Sequence, residues 1–113
     1  MNFIFLSPIP ELVLAHNELL HMQALGRKIK KHTAAGGTPD LDGVRIAILG
    51  VLENRNDVDH IGETIQLNEI RKALYGLFPG NWSVQMADLG DIVPGETVED
   101  TYFALKTLSL IHI

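Results

Sequence analysis

Cysteine is absent from this chain, which excludes a disulfide framework and any thiolate metal site. A surplus of basic residues is missing as well. Nine Lys and Arg stand against fourteen Asp and Glu, for a net charge of −5 and a pI near 5.4. That balance argues against a dedicated nucleic-acid binder, because phosphate binding draws on clustered cations. The opening MNFIFLSPIPELVL has no basic region ahead of its apolar residues and is interrupted by Pro8 and Pro10, so it does not read as a signal peptide. No apolar run approaches membrane-spanning length. Neither G-x-G-x-x-G nor G-x-x-x-x-G-K-[ST] occurs, although Gly50 follows a strand-like run. A nucleotide or dinucleotide site therefore has little support. Ser7, Ser83 and Ser109 have no G-x-S-x-G setting, which removes hydrolysis of that type.

What is present fits a small globular protein. At 113 residues and 46% hydrophobic content, with mean hydropathy of +0.13, the chain is long enough for one domain with a modest core. A cytoplasmic protein is the expectation.

The spacing predicts a helix from Glu11 to about Lys31, with Ala15, Leu19, Met22, Gly26 and Ile29 on one face. Pro10 and Glu11 suit its positive end, and Arg27, Lys28, Lys30 and Lys31 its negative end. Gly26 allows the helix to break into shorter pieces. The basic cluster reads as a solvated helix end ahead of an anion site. His32 to Gly43, with three glycines, a proline and two aspartates, is a loop. It separates an N-terminal arm, 1–43, from an α/β unit, 44–107.

Val44 to Val51 is an almost continuous apolar run, as in a parallel strand covered on both faces. A helix is expected from Asn68 to Phe78, with Ile70, Leu74 and Leu77 as its buried stripe and Glu69, Arg71 and Lys72 pointing elsewhere. Asn68 is the expected N-cap, and Pro79-Gly80-Asn81 the stop. A second strand, Trp82 to Ala87, alternates as an edge strand does and is closed by Asp88-Leu89-Gly90-Asp91. Thr97 and Asp100 resemble a capping box for a last helix carrying Val98, Tyr102 and Leu105 on one face. The order is β-α-β-α with parallel strands and a right-handed crossover. Two strands make an incomplete sheet, since about three are needed for independent stability.

Asp57, Asp59 and His60 form the sharpest local cluster, two carboxylates and an imidazole within four residues that suit a divalent cation. In an extended segment Asp57 and Asp59 share a side and His60 lies opposite, so a polar surface loop is the better reading. His16 and His21 are five apart, the wrong spacing for ligation from one helix face. With His32 they read as surface residues.

The segment IAILGVLENRN resembles the first strand and loop of the arginase, agmatinase and formimidoylglutamase (ureohydrolase) family. Gly62 followed by LNEIRKAL is similar to that family's glycine and helix with an Ile-Arg pair, here Ile70-Arg71. VQMADLGDI resembles its second strand with an Asp-Leu-Gly ending, here Asp88-Leu89-Gly90. The NFIFLSPIPE arm looks most like the formimidoylglutamase branch. The matches span roughly Val44 to Leu105. One departure is Leu67-Asn68, where the family more often has Gly-Pro, and it bears on where the helix starts.

The resemblance implies a three-layer α/β/α fold, of which this chain holds the N-terminal β-α-β-α part. It also implies two manganese ions that activate a water for attack on a guanidinium or formimidoyl carbon of a small linear substrate, in a homo-oligomeric parent. The ligand segments implied are Gly-Gly-Asp-His, Asp-x-His-x-Asp and Asp-x-Asp. None occurs here, so no catalytic, cofactor-binding or metal residue carries over. The final Leu108-Ser109-Leu110-Ile111-His112-Ile113 matches one reading frame of a widely used transposon sequencing adapter. The tail 108–113 is therefore read as adapter-derived rather than as an ordinary apolar helix end, and His112 as without meaning. The expectation is a truncated, inactive N-terminal fragment. The alternatives are a complete small non-enzymatic α/β interaction domain and, third, a nucleotide-binding half-domain.

Overall fold

The computed structural model describes residues 5–59 and 67–110. Its elements are β1 (Leu6–Ser7), α1 (Glu11–Glu18), α2 (Leu25–Lys28), β2 (Lys30–Lys31), β3 (Ile46–Val51), α3 (Asn68–Tyr75), β4 (Met86–Ile92) and α4 (Val98–Ser109). The fold is mixed α/β with a four-stranded open sheet.

β4 is the central strand. β3 runs parallel along one edge, from Ile46 opposite Met86 to Val51 opposite Ile92. The other edge is shared end to end by two short strands. β2 lies parallel, with Lys30 and Lys31 opposite Ala87 and Asp88. β1 lies antiparallel, with Leu6 and Ser7 opposite Ile92 and Asp91. The N-terminal arm thus contributes two strands to a sheet expected to hold two, and one of them is antiparallel.

Burial along the two long strands reverses the expectation. The uncharged IAILGV reads as the covered strand, yet β3 is only partly covered, with Ile46 43% exposed. MADLGDI contains two aspartates and a glycine, yet from Ala87 to Ile92 it is buried throughout. The strand also starts and ends later than Trp82 to Ala87. Between Ile48 and Gly50 the register slips, so that Leu89 and Gly90 of β4 stand where β3 has Leu49 alone. This is a bulge of one residue. It falls at Gly90, where φ is +90° and a Cβ would collide with the Ser7 carbonyl oxygen. Only glycine fits that backbone at low cost.

The bulge also decides which side chains share a face. Residues three apart point to opposite faces of a regular strand. One extra residue returns Asp91 to the side of Asp88, where both meet α3. Leu89 and Ile92 face the other way and pack with Leu6, Ala104 and Leu108, supported by Ala47, Leu49 and Val51. A second core, of Ile9, Val13, Leu25, Ile29 and Tyr75, lies under α1, α2 and α3. Helices therefore cover both sides of the sheet. Each large apolar side chain buried in either core contributes roughly 1.5–3 kcal/mol.

The long first helix is not formed. α1 stops at Glu18, α2 is a single turn, and Lys30–Lys31 is strand. Tertiary bonds override the helical spacing here. The Leu25 amide donates to the Leu77 carbonyl at 2.6 Å. Gly26 lies so close to Asn17 and Tyr75 that a Cβ would meet both. Leu19 and Met22, expected inside, are 85% and 76% exposed, while Val13 and Asn17 make the buried face of α1.

α3 is rotated from the expected orientation. Ile70 and Leu77 are 65% and 57% exposed, and the buried pair is Arg71 and Tyr75, at i and i+4. The helix ends at Tyr75, before Pro79, and Leu67 rather than Asn68 occupies its N-cap position, with no side-chain cap. At α4 the expected cap forms, with Thr97 Oγ1 accepting from the Asp100 amide at 3.2 Å. Its buried residues are Thr101, Ala104 and Leu108, and Tyr102 is exposed.

Candidate functional site

Among the described residues, one polar cluster lies along β4 itself and a second lies just past the end of β3. The deeper one is built by α3 on β4. Arg71 Nε and Nη2 donate to Asp88 Oδ2 and Oδ1 at 2.8 and 3.0 Å, a two-pronged pair. Arg71 Nη1 donates to Asp91 Oδ1 at 2.6 Å. One turn along α3, Tyr75 Oη donates to Asp88 Oδ2 at 2.5 Å, and the Gly90 amide donates to Asp88 Oδ1 at 3.0 Å. The Asp88 carboxylate thus accepts four hydrogen bonds, about the number its lone pairs allow.

All of this is shut from water, with the side chains of Arg71, Asp88 and Asp91 only 4%, 0% and 8% exposed. Burial works against the Arg71 charge, but the hydrogen bonds and charges of Asp88 and Asp91 outweigh it and hold the guanidinium protonated. Burial, followed by the Asp88 charge, pushes the Tyr75 phenol well above its ordinary 10.0. Gly50 on β3 makes room for the cluster, since a Cβ there would strike Asp91 Oδ1 and Leu67. His32 lies beside it, buried, with Nδ1 2.9 Å from the Leu89 carbonyl oxygen. That corrects the reading of His32 as a surface residue.

The shallower cluster joins Glu53, just past β3, to Arg55 and Thr101. Thr101 Oγ1 donates to Glu53 Oε1 at 2.7 Å, and Arg55 Nε donates to Glu53 Oε2 at 2.9 Å. The Arg55 bond, then the Thr101 bond, pull the Glu53 carboxyl down from 4.5 to about 2, against the opposing effect of desolvation.

Asp57 and Asp59 do not come together as ligands. Both are exposed, and Asp57 Oδ1 accepts the Asp59 amide at 3.1 Å in a local turn. His60 and Gly62 lie outside the described residues. His21 is exposed and stacks at 5.5 Å from Phe78, with Nδ1 accepting the Gln23 amide. His16 is half-buried on α1. Among the described residues, no three His, Asp or Glu side chains converge as a metal site. Comparison with protein-family models, with curated proteins and with solved structures returns no match to this chain.

The basic cluster resolves into separate partners rather than one anion site. Arg27 pairs with Glu18 at 2.8 Å, and Lys30 Nζ donates to the Asp40 and Asp42 carbonyls. Lys31 turns back to the Ile29 carbonyl, and burial lowers its pKa. Ser7 lies in β1, Ser83 is exposed, and Ser109 donates to the Lys106 carbonyl.

The buried residue that sequence reasoning pointed away from the core is Arg71. Its signal in the sequence is an Arg and a Tyr at i and i+4, followed by two aspartates in an otherwise apolar strand. Chemically the deep cluster is a fixed-charge pin: both Asp88 oxygens are taken by internal donors, and Arg71 ties Asp88 and Asp91 together, so the cluster holds α3 to β4.

Proposed function

We propose that residues 44–107 are the N-terminal β-α-β-α part of a three-layer α/β/α hydrolase domain of the arginase, agmatinase and formimidoylglutamase type, formimidoylglutamase-like. On this reading the 113-residue chain is inactive by itself. The observation that carries the proposal is where the resembling segments meet. Ile70-Arg71 and Asp88-Leu89-Gly90 were matched as separate stretches, and in the fold Arg71 grips Asp88 while Gly90 supplies the bulge. The resemblance thus falls on residues that frame a mixed sheet, parallel where β3 and β2 meet β4 and antiparallel at β1, with helices on both sides. The partly covered β3 suits a strand with a further neighbour.

The parent would hydrolyse the C–N bond of a small linear amidine or guanidino compound with two manganese ions, in the cytoplasm, as a homo-oligomer. The residues described do not fit that metal pair. Asp88 and Asp91 are taken up by Arg71 and Tyr75, and Asp57 caps its own turn. Among the described residues no helix is long and apolar enough to cross a membrane.

A second reading, a non-enzymatic α/β interaction domain, draws on the outer side of α4, where Tyr102, Phe103 and Leu110 are 55%, 70% and 67% exposed. Sequencing the transcript past Thr107 separates the two. An Asp-x-His-x-Asp segment in the same frame is expected. A long open frame without one would leave the interaction domain.

A further inference from the structure

The loop that follows β3 is tied to α4 through a set of side chains from three segments. Glu53 and Arg55 come from the loop itself, Gly95 and Glu96 from the turn after β4, and Thr101 from the second turn of α4. Glu53 has a side chain 6% exposed. Its carboxylate accepts the Thr101 hydroxyl at 2.7 Å, Arg55 Nε at 2.9 Å, Arg55 Nη2, and the Arg55 amide at 3.0 Å. The Thr101 oxygen accepts in turn from the Gly95 amide at 2.8 Å and from Arg55 Nη2 at 3.3 Å. Arg55 Nη1 reaches across to the Glu96 carbonyl at 2.9 Å.

With the Thr101 hydroxyl donating to Glu53 at 2.7 Å, much closer than its other acceptor, the Thr97 carbonyl at 3.5 Å, the lone pairs of that oxygen are free to take Gly95 and Arg55. Each partner therefore orients the next. The Arg55 side chain is 38% exposed and Glu53 and Thr101 are covered, so the network is partly buried. Loss of any one member leaves the others poorly satisfied, which is how linked polar groups become cooperative.

We propose that Glu53, Arg55 and Thr101 form a clasp that opens as one unit, so that the position of residues 52–59 after β3 and the seating of the first turns of α4 are set together. In open sheets with parallel strands, ligands gather beyond the carboxyl ends of the strands, and residues 52–59 lead off the carboxyl end of β3. The clasp stands on the hydrogen bonds described and is independent of the hydrolase reading.

Amide exchange measured by NMR on the whole chain at neutral pH tests it, because two amides donate directly to clasp side chains. Gly95 donates to Thr101, and Arg55 donates to Glu53. In Thr101→Val the Gly95 amide loses its acceptor outright, whereas the acceptor of Arg55 is untouched. A unit nevertheless requires the Arg55 amide to exchange roughly 10-fold faster or more, the loss expected for a hydrogen bond to a charged group. In Glu53→Gln the Gly95 amide is expected to accelerate likewise although Thr101 remains. Thr101→Ser, which keeps the hydroxyl, should leave both protected. An unchanged Arg55 amide in Thr101→Val would overturn the proposal, since the bonds would then be independent. Equal acceleration at Ala87 and Leu89 in both variants would also overturn it, by making the cluster a determinant of the whole sheet.

Discussion

Replacing Arg71 by Met removes the pin between α3 and β4 while keeping most of the side chain's length. The substitution deletes two hydrogen bonds to Asp88 and one to Asp91. Taken singly, bonds to charged groups contribute about 1.5–3 kcal/mol each. The gross sum overstates the effect, because burying the guanidinium costs desolvation in the native protein. Two carboxylates, 0% and 8% exposed, are then left with no cation, and breaking a buried pair from one side costs about 3–5 kcal/mol. A domain of this size is stable by only on the order of 5–15 kcal/mol. With an m-value near 1.5 kcal/mol/M, the urea midpoint read by circular dichroism at 222 nm should fall by about 2 M or more. Arg71→Lys keeps the charge without the two-pronged geometry and should fall between wild type and Met. Tyr75→Phe loses one bond to a carboxylate that keeps its other partners, and should cost about 1.5–3 kcal/mol. A midpoint shift below about 0.5 M for Arg71→Met, at unchanged m-value, would refute the claim that this network fastens α3 to β4.

The bulge predicts that Gly90→Ala costs several kcal/mol, through both the +90° φ and the collision with the Ser7 carbonyl oxygen. Loss of protection at the Val93 amide, which donates to Phe5 beside β1, would report that β1 has come away. Glu53 gives an acid dependence. Its folded carboxyl sits near 2 against an ordinary 4.5, so the stability it contributes is present above about pH 4.5 and disappears as pH falls toward 2. The stability gap between wild type and Glu53→Gln should therefore be constant at neutral pH and close across that window; a gap unchanged down to pH 2 would contradict it. Tyr75 gives the alkaline counterpart. Its raised pKa favours the protonated native state, so its contribution is full below pH 10 and is lost as pH climbs beyond it. In a Tyr102→Phe background, the phenolate absorbance at 295 nm should appear together with unfolding and not before it.

The strands show how much of the fold was legible and where legibility ended. IAILGV reads as strand from its β-branched and apolar run, and Thr97 with Asp100 marks the start of α4; both hold at the level of local structure. Period-two and helical patterns say which faces are apolar, but not which polar residues are buried. Asp88 and Asp91 look like the end of a strand because isolated burial of a carboxylate is costly. They lie inside it and are buried because Arg71 and Tyr75, thirteen to twenty residues earlier, supply what water would have given. The pairing of Lys30–Lys31 with β4 was hidden for a related reason. Helical spacing is a local signal, and the Leu25–Leu77 bond and the tight seat of Gly26 are not. The two lysines then stay solvated or turn to carbonyls, so a strand of two basic residues at the sheet's shorter-paired edge is tolerated.

The proposal that residues 44–107 belong to a hydrolase would place its reactive centre elsewhere in a longer polypeptide. Its most direct test compares this 113-residue chain with the protein translated from the full uninterrupted frame, by manganese content and by release of urea or formamide from linear amidines. The account predicts bound manganese and product from the longer protein and neither from the shorter. Stoichiometric manganese on the short chain, or a metal-free and inert longer one, would contradict it.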